Sequence, residues 1–205
     1  MIGVALTAAL ALMFGGHATR IVAPGLRVGA KAHGEAIFHV ELDASGKPHR
    51  IAAIVDIPPC GAQLREAVSK WRLPALATSE EGRHVFVVAV FEPPTLLEPR
   101  LFPPPPAASI APPMLPFPVK WERPPYPPRA HGDGVAVVEA RIADDGVVEG
   151  VTLVSSAAGF DGAALAAAAR WRFRPAYRDG RPVRAVAFLV FGFPSPWPPK
   201  SARHR

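Results

Sequence analysis

The sequence predicts an α+β fold built as two small tandem units, each a three-stranded antiparallel sheet with a helix packed on one face. Three observations lead to this prediction. The chain matches itself at an offset of 100 residues, both matching segments change from strand-like to helix-like apolar spacing in the same order, and a proline-rich stretch separates them. With 205 residues, of which 49% are hydrophobic, the chain is long enough for two such units.

Few residues are identical between the two segments, and the repeat depends mainly on their shared pattern. A one-residue slip would turn every side chain of a strand to the other face, so agreement in register is stronger support than the identities. The identical positions include Gly34 and Gly134, Ala36 and Ala136, Gly46 and Gly146, and Trp71-Arg72 and Trp171-Arg172.

Each unit begins with a predicted β-hairpin. Apolar and more polar residues alternate over residues 36–42 and again over residues 136–142, as in a strand with one buried face. A glycine turn follows each strand, and the second strands are predicted near residues 50–55 and 147–155. We interpret the Asp144-Asp145 pair as part of a solvated turn rather than a metal or acid/base site, because no further ligand stands at a suitable spacing.

A short helix follows each hairpin. Its apolar residues recur at i, i+3, i+4 and i+7, and each stripe ends in a tryptophan that we expect to anchor the core. Asp161 is predicted to cap the second helix, and Pro74 and Pro175 are expected to stop the two helices. The stripes are Leu64, Ala67, Val68 and Trp71, and Ala164, Ala167, Ala168 and Trp171.

A last strand closes each unit, over residues 85–91 in the first and residues 183–191 in the second. A unit of this size buries only about 60% of its extended-chain surface and is marginally stable alone. Pairing of the two units with each other, or pairing with a second chain in a homodimer, would stabilise it.

Proline marks the domain boundaries. The chain has 26 prolines, and 15 of them lie between Pro93 and Pro128. Such a stretch favours extended polyproline II structure and acts as a semi-rigid spacer, although a ligand for a polyproline-binding domain is the alternative. The predicted organisation is a first unit at residues 33–92, a linker at residues 93–124, a second unit at residues 125–194 and a basic tail at residues 195–205.

The start of the chain predicts export. The apolar run from Ile2 to Phe14 has the length of a signal-peptide core and is shorter than the roughly 20 residues that cross a bilayer. Residues 1–18 are therefore predicted to be a signal peptide or a short membrane anchor. We expect a periplasmic protein whose N-terminus is either cleaved or held in the inner membrane.

Composition argues against two other classes of function. The chain has a net charge of +6, but no helix-turn-helix or RNA-binding strand motif accompanies the arginines between Arg170 and Arg184, so nucleic acid is not expected as a partner. The seven histidines form no His-Glu-x-x-His helix, and Ser155-Ser156 lacks a Gly-x-Ser-x-Gly motif. No catalytic residue, metal site or cofactor is predicted. The single cysteine, Cys60, is expected to be structural.

Six short motifs occur in order within residues 121–194. They are PYP at 125–127, DDGVV at 144–148, VSS at 154–156, FDGAAL at 160–165, WRFRPA at 171–176 and GRPV at 180–183. Together they resemble the C-terminal domain of the TonB family of energy transducers. The first unit resembles a degenerate copy, because it keeps Gly46 and Trp71-Arg72, whereas Val55-Asp56 replaces the paired serines and no Tyr-Pro precedes it.

The resemblance implies a protein that transmits inner-membrane proton-motive force to TonB-dependent receptors of the outer membrane and so supports transport. The implied contact is β-augmentation, in which a receptor peptide pairs with an exposed sheet edge, here the last strand. Inner-membrane proton-channel proteins are further implied partners, and no cofactor is implied. A periplasmic scaffold or sensor that uses TonB-like modules for contacts unrelated to uptake is the alternative.

The resemblance also names the partner-binding residues. Tyr126 belongs to the Tyr-Pro motif, and packing of its ring against its own domain is an equally good interpretation. The implied contact residues are Tyr126, Pro127, Val183, Arg184, Ala185, Val186, Ala187 and Phe188.

Overall fold

The structure is a computed structural model that describes residues 20–24, 34–56, 60–73, 83–91 and 111–195. The main strands are β1 Gly34–Leu42, β2 Pro48–Val55, β3 His84–Phe91, β5 Gly134–Ile142, β6 Val148–Ser155 and β10 Ala185–Phe193. The helices are α1 Cys60–Ser69 and α2 Asp161–Ala168. Four shorter strands are β4 Phe117–Lys120, β7 Arg172–Arg174, β8 Ala176–Arg178 and β9 Arg181–Val183.

The six main strands form one continuous sheet in the order β2-β1-β3-β10-β5-β6. Neighbours are antiparallel within the first half (residues 34–91) and within the second half (residues 111–193), whereas β3 and β10 pair in parallel at the centre. The α+β class is confirmed, and so are the predicted strand, hairpin, helix and last strand of each unit. The prediction of two separate three-stranded sheets is wrong, because the two sheets are joined edge to edge.

The physical reason for the join lies in the last strands, β3 and β10. Their sequences, HVFVVAVF and AVAFLVFGF, are apolar at nearly every position. Near-continuous apolar runs are typical of parallel strands that are buried on both faces. Neither strand can therefore lie at a solvated edge, and each covers the other. We call this β3–β10 pairing the seam.

The two helices cover opposite faces of the sheet. The core under α1 contains Leu64, Val68 and Trp71, together with Phe188 and Val190 from the second half. The core under α2 in turn contains Ile37, Phe86 and Val88 from the first half. Each hydrophobic core is thus built from side chains of both halves, and both predicted tryptophan anchors are fully buried.

The repeat is visible in individual hydrogen bonds. Gly46 and Gly146 both adopt positive φ, at 79° and 85°, in the two hairpin turns. Their carbonyl groups accept equivalent bonds, from Leu73 N–H at 2.8 Å in the first half and from Phe173 N–H at 2.9 Å in the second. The backbone frame is therefore shared even where the side chains differ.

Asp161 does not cap α2 as expected, because it is the first residue of the helix. The cap position is Phe160, whose side chain makes no capping hydrogen bond. The Asp161 carboxylate instead accepts from Ala157 N–H at 2.7 Å and from the Ser156 hydroxyl at 2.6 Å. It closes the loop that leads into the helix.

Proline does not stop α2. The helix ends at Ala168, and residues 172–174 are already extended as β7 before Pro175 is reached. Packing of the fully buried Trp171 accompanies this end of the helix. Pro74, the corresponding residue of the first half, lies outside the described residues.

Part of the predicted linker is folded. Ala111, Leu115 and Phe117 are buried in the core under α2, and β4 pairs with β7. The Arg174 guanidinium donates to the carbonyl group of Leu115 at 3.1 Å. Residues 111–124 thus belong to the second half instead of a spacer, because their apolar side chains have a core to enter. Residues 1–18, residues 93–110 and the tail beyond Ser195 lie outside the described residues.

Candidate functional site

The predicted partner-binding strand lies in the middle of the sheet. β10 pairs with β3 over residues 187–192 and with β5 over residues 185–193. Strands on both sides use its main-chain donors and acceptors, so the free edge expected at β10 is absent. The strand β3 of the first half occupies the side of β10 to which a partner peptide was expected to pair.

Opening the seam would expose large apolar side chains on both faces. Phe86, Val88, Phe188 and Val190 are all fully buried there. Fully exposing a buried Val or Phe side chain costs roughly 1.5–3 kcal/mol. A peptide that displaced β3 would have to replace these contacts as well as the main-chain hydrogen bonds.

The remaining predicted contact residues of the second half are mostly covered. Val183 ends β9 and pairs with Ala176, whereas Ala187 and Phe188 are buried in β10. Arg184 alone of residues 183–188 is exposed, and its guanidinium lies 3.6 Å from the Glu149 carboxylate. Receptor contact at residues 183–188 stays a prediction, and its expected geometry as a free edge is corrected.

Tyr126 and Pro127 pack against their own domain. The Tyr126 ring meets the Phe160 ring edge-on at 5.4 Å, and its hydroxyl donates to the Gly132 carbonyl at 2.8 Å. The Pro127 carbonyl accepts from Ala130 N–H at 3.0 Å and so closes a turn. Both residues are half-buried, and their contact with a receptor stays a prediction.

The sheet has two outer strands, β2 and β6, each paired on one side only within the described residues. At the start of β6, the preceding Val147 bridges Arg172 of β7. From Val148 to Ser155 no described strand lies on the outer side, so main-chain donors and acceptors are available there. Glu149 and Thr152 are the exposed side chains of this strand.

Residues 122–193 match the model of the Gram-negative bacterial TonB protein C-terminal family. This part of the chain is a TonB C-terminal domain. A comparison with curated proteins finds no match. TonB C-terminal domains are protein-interaction domains that contact TonB-dependent receptors of the outer membrane, and proteins of the TonB family are periplasmic. In the described part of this chain, no helix has the length and hydropathy needed to cross a membrane.

Charged groups flank the outer strand of the TonB C-terminal domain. Glu139 of β5 lies opposite Thr152, and burial raises the pKa of its carboxyl group, while nearby Arg141 lowers it. The Arg141 guanidinium also covers Gly150 of β6, where an added Cβ would clash with it. Together with the Glu149–Arg184 pair, these groups give the edge a mixed charge that disfavours nonspecific strand pairing.

Sequence reasoning missed β6 as the outer edge of the TonB C-terminal domain. The available signal was the difference between two strands: β6, VEGVTLVS, contains glycine, glutamate and threonine, whereas β10 is apolar on both faces. A strand with polar residues and glycine suits an edge, and a doubly apolar strand suits the interior.

Proposed function

We propose that this protein is a periplasmic TonB-like energy transducer that binds TonB-dependent receptors of the outer membrane by β-augmentation and so supports transport. The observation that carries the proposal is the TonB C-terminal domain at residues 122–193. The receptor peptide pairs with the outer side of β6. Inner-membrane proton-channel proteins supply the energy in this proposal.

We choose β6 because a peptide can pair with it without displacing another strand. Pairing with β6 uses main-chain groups that no described strand occupies, whereas pairing with β10 requires displacement of β3 and exposure of the seam. The eight residues of β6 match the usual length of a strand, so the edge can hold an extended peptide of ordinary length.

We also infer that the first half is a degenerate copy of the same domain that covers β10. It has the same strand order and an equivalent glycine turn, and its last strand pairs with β10 in parallel. This inference explains why the apolar last strand of the TonB C-terminal domain is not exposed to water.

Site-specific photo-cross-linking in cells tests the proposal. With p-benzoylphenylalanine at Thr152, which is exposed on β6, we expect cross-links to an outer-membrane receptor, identified by mass spectrometry. The matched control is Ala53, which is exposed on the other outer strand, β2, and should give few such products. Equal yields from Ala53 would contradict the assigned edge, and no receptor product from either position would contradict the function.

A further inference from the structure

Two histidines and a glutamate meet at one end of the first half. His39 and Glu41 lie two residues apart on β1 and so share a face of the sheet, and His84 at the start of β3 is directly opposite Glu41. His39 Nε2 and His84 Nδ1 are 3.1 Å apart. One nitrogen from each histidine and an oxygen of Glu41 all lie within 4.8 Å of one another.

The cluster lies on the face opposite α1, beyond the buried Ile37 of the same strand. All three side chains are half-buried, which leaves an ion a route from solvent and shields it in part. Two side chains compete with a metal ion for the glutamate: Arg50 Nη1 is 3.3 Å from one oxygen, and His49 Nε2 is 3.6 Å from the other. The Arg50 side chain is 69% exposed, so it can turn away into water.

The chemistry of this set suits a transition-metal ion. Zinc binds imidazole nitrogen at about 2.0–2.1 Å in a tetrahedral site, which places two nitrogen ligands about 3.3 Å apart. The two ring nitrogens already have nearly that separation, and rotation of the Glu41 side chain would bring the third ligand in. We propose that His39, His84 and Glu41 form a binding site for a divalent zinc-class metal ion, with water completing the coordination.

The same positions in the second half show that the site is particular to the first. The pair Glu41–His84 corresponds to Arg141–Val186 in the antiparallel register, and His39 corresponds to Glu139. An arginine and a valine offer no metal ligand, so the repeated backbone does not by itself gather such a set. A metal would tie β1 to β3 next to the seam.

A hydrogen-bonded histidine pair without metal is the competing explanation. It accounts for the 3.1 Å contact, but it needs the separate contact of Glu41 with Arg50 to explain a carboxylate within reach of both rings. The metal site accounts for all three side chains together.

Calorimetric titration of the full chain, free of any histidine tag and stripped with a chelator, with Zn²⁺ tests the proposal. We expect one ion per chain and a rise in Tm on binding, because the ion binds the folded state. His39→Gln and His84→Gln should each weaken binding by more than about 100-fold, since loss of mere outer-shell partners costs about 10–100-fold. His131→Gln, at an exposed histidine of the second half, is the matched control and should bind as the wild type does.

A second measurement needs no variant and therefore does not depend on how the substitutions affect folding. Co²⁺ bound to the wild-type chain should give visible absorption of a nitrogen- and oxygen-ligated site and should broaden the NMR signals of residues around His39 and His84. Failure of the wild type to bind either ion would overturn the proposal. So would undiminished Zn²⁺ binding by a folded His39→Gln/His84→Gln double variant, or broadening centred elsewhere.

Discussion

The two halves of the sheet share a backbone frame and differ in what covers it. In the first half, α1 packs through Leu64 and Val68, whereas α2 packs through the small side chains of Ala164, Ala167 and Ala168. The second half is covered further by residues 111–130, which include β4. Glycine turns and buried tryptophans therefore preserve the strand arrangement in both halves, while the side chains that pack over the strands differ.

The two halves are alike in one respect, because neither can form its core alone. Each core borrows side chains from the opposite half across the seam, so neither half has a complete core of its own. The folded unit is therefore the pair, and unfolding should be a single cooperative event.

The largest predicted effect comes from a residue that crosses the seam. Phe188 belongs to the second half by sequence, but it is fully buried in the core of the first half, where its ring meets Trp71 edge-on at 5.3 Å. Phe188→Ala should lower the free energy of unfolding by about 3–5 kcal/mol, because it leaves a cavity in that core. Urea unfolding followed by circular dichroism and by tryptophan fluorescence measures the loss.

The control is Tyr177→Ala, at an exposed ring of the same half, which should change stability by less than about 0.5 kcal/mol. Coincident loss by both probes would support a single folded unit. Two separate unfolding transitions, with only the second half destabilised, would show that the two halves fold as independent modules.

The next effect depends on pH and on a carboxyl group that only the first half has. Glu35 is 7% exposed, its counterpart in the repeat is Val135, and burial raises its pKa to about 7 while nearby Arg123 lowers it. The folded state thus binds the proton more tightly than the unfolded state does. Ionisation of Glu35 does not affect the free energy of unfolding below pH 4.5, where the carboxyl group is protonated in both states. It increasingly lowers the free energy of unfolding as pH rises from 4.5 toward 7.

Glu35→Gln should therefore raise the free energy of unfolding at pH 8 by up to about 3 kcal/mol, and leave it nearly unchanged at pH 4. Urea unfolding at both values, with the wild type at pH 4 as the internal reference, measures the difference. A loss of stability in Glu35→Gln at pH 8 would show instead that the ionised carboxylate is stabilised by Arg123.

Much of this fold could be predicted from the sequence, because local patterns determine it. Alternation over residues 36–42 and 136–142 gives β1 and β5, and the i, i+3, i+4, i+7 stripes give the two helices. The seam could not be assigned from a repeat alone, since the repeat describes each unit and not its neighbour. The apolar character of both faces of β3 and β10 was the sign that they are interior strands.

The candidate sites were less accessible to sequence reasoning. The family resemblance pointed to the second half, which the match over residues 122–193 confirms, but not to the strand with a free side. The cluster of His39, Glu41 and His84 was missed because it forms across strands: 43 residues separate Glu41 from His84, and only the antiparallel register brings them together. Spacing rules for helices do not detect such a set.

The smallest predicted effect compares the two tryptophans. Trp71 Nε1–H donates to the Val22 carbonyl at 3.0 Å, and Trp171 Nε1–H donates to the Glu122 carbonyl at 2.8 Å, so each ring holds a segment that precedes the hairpin of its half. Replacing either tryptophan by phenylalanine keeps an aromatic ring in the core and removes the donor. We expect each substitution to lower the free energy of unfolding by about 1 kcal/mol, the low end of the range for an acceptor left without its partner, because both carbonyl groups belong to half-buried residues.

Hydrogen exchange should separate the two tryptophan variants even where their stabilities are similar. Residues 120–124 are also held by the pairing of β4 with β7 and by an ion pair of Glu122 with Arg170, whereas residues 20–24 have one bridge, between Arg20 and Arg72. Trp71→Phe should therefore speed amide exchange in residues 20–24 more than Trp171→Phe does in residues 120–124. Equal amide exchange rates in the two segments would mean that the pairing of β4 with β7 does not stabilise residues 120–124. The two preceding segments would then be equally stable.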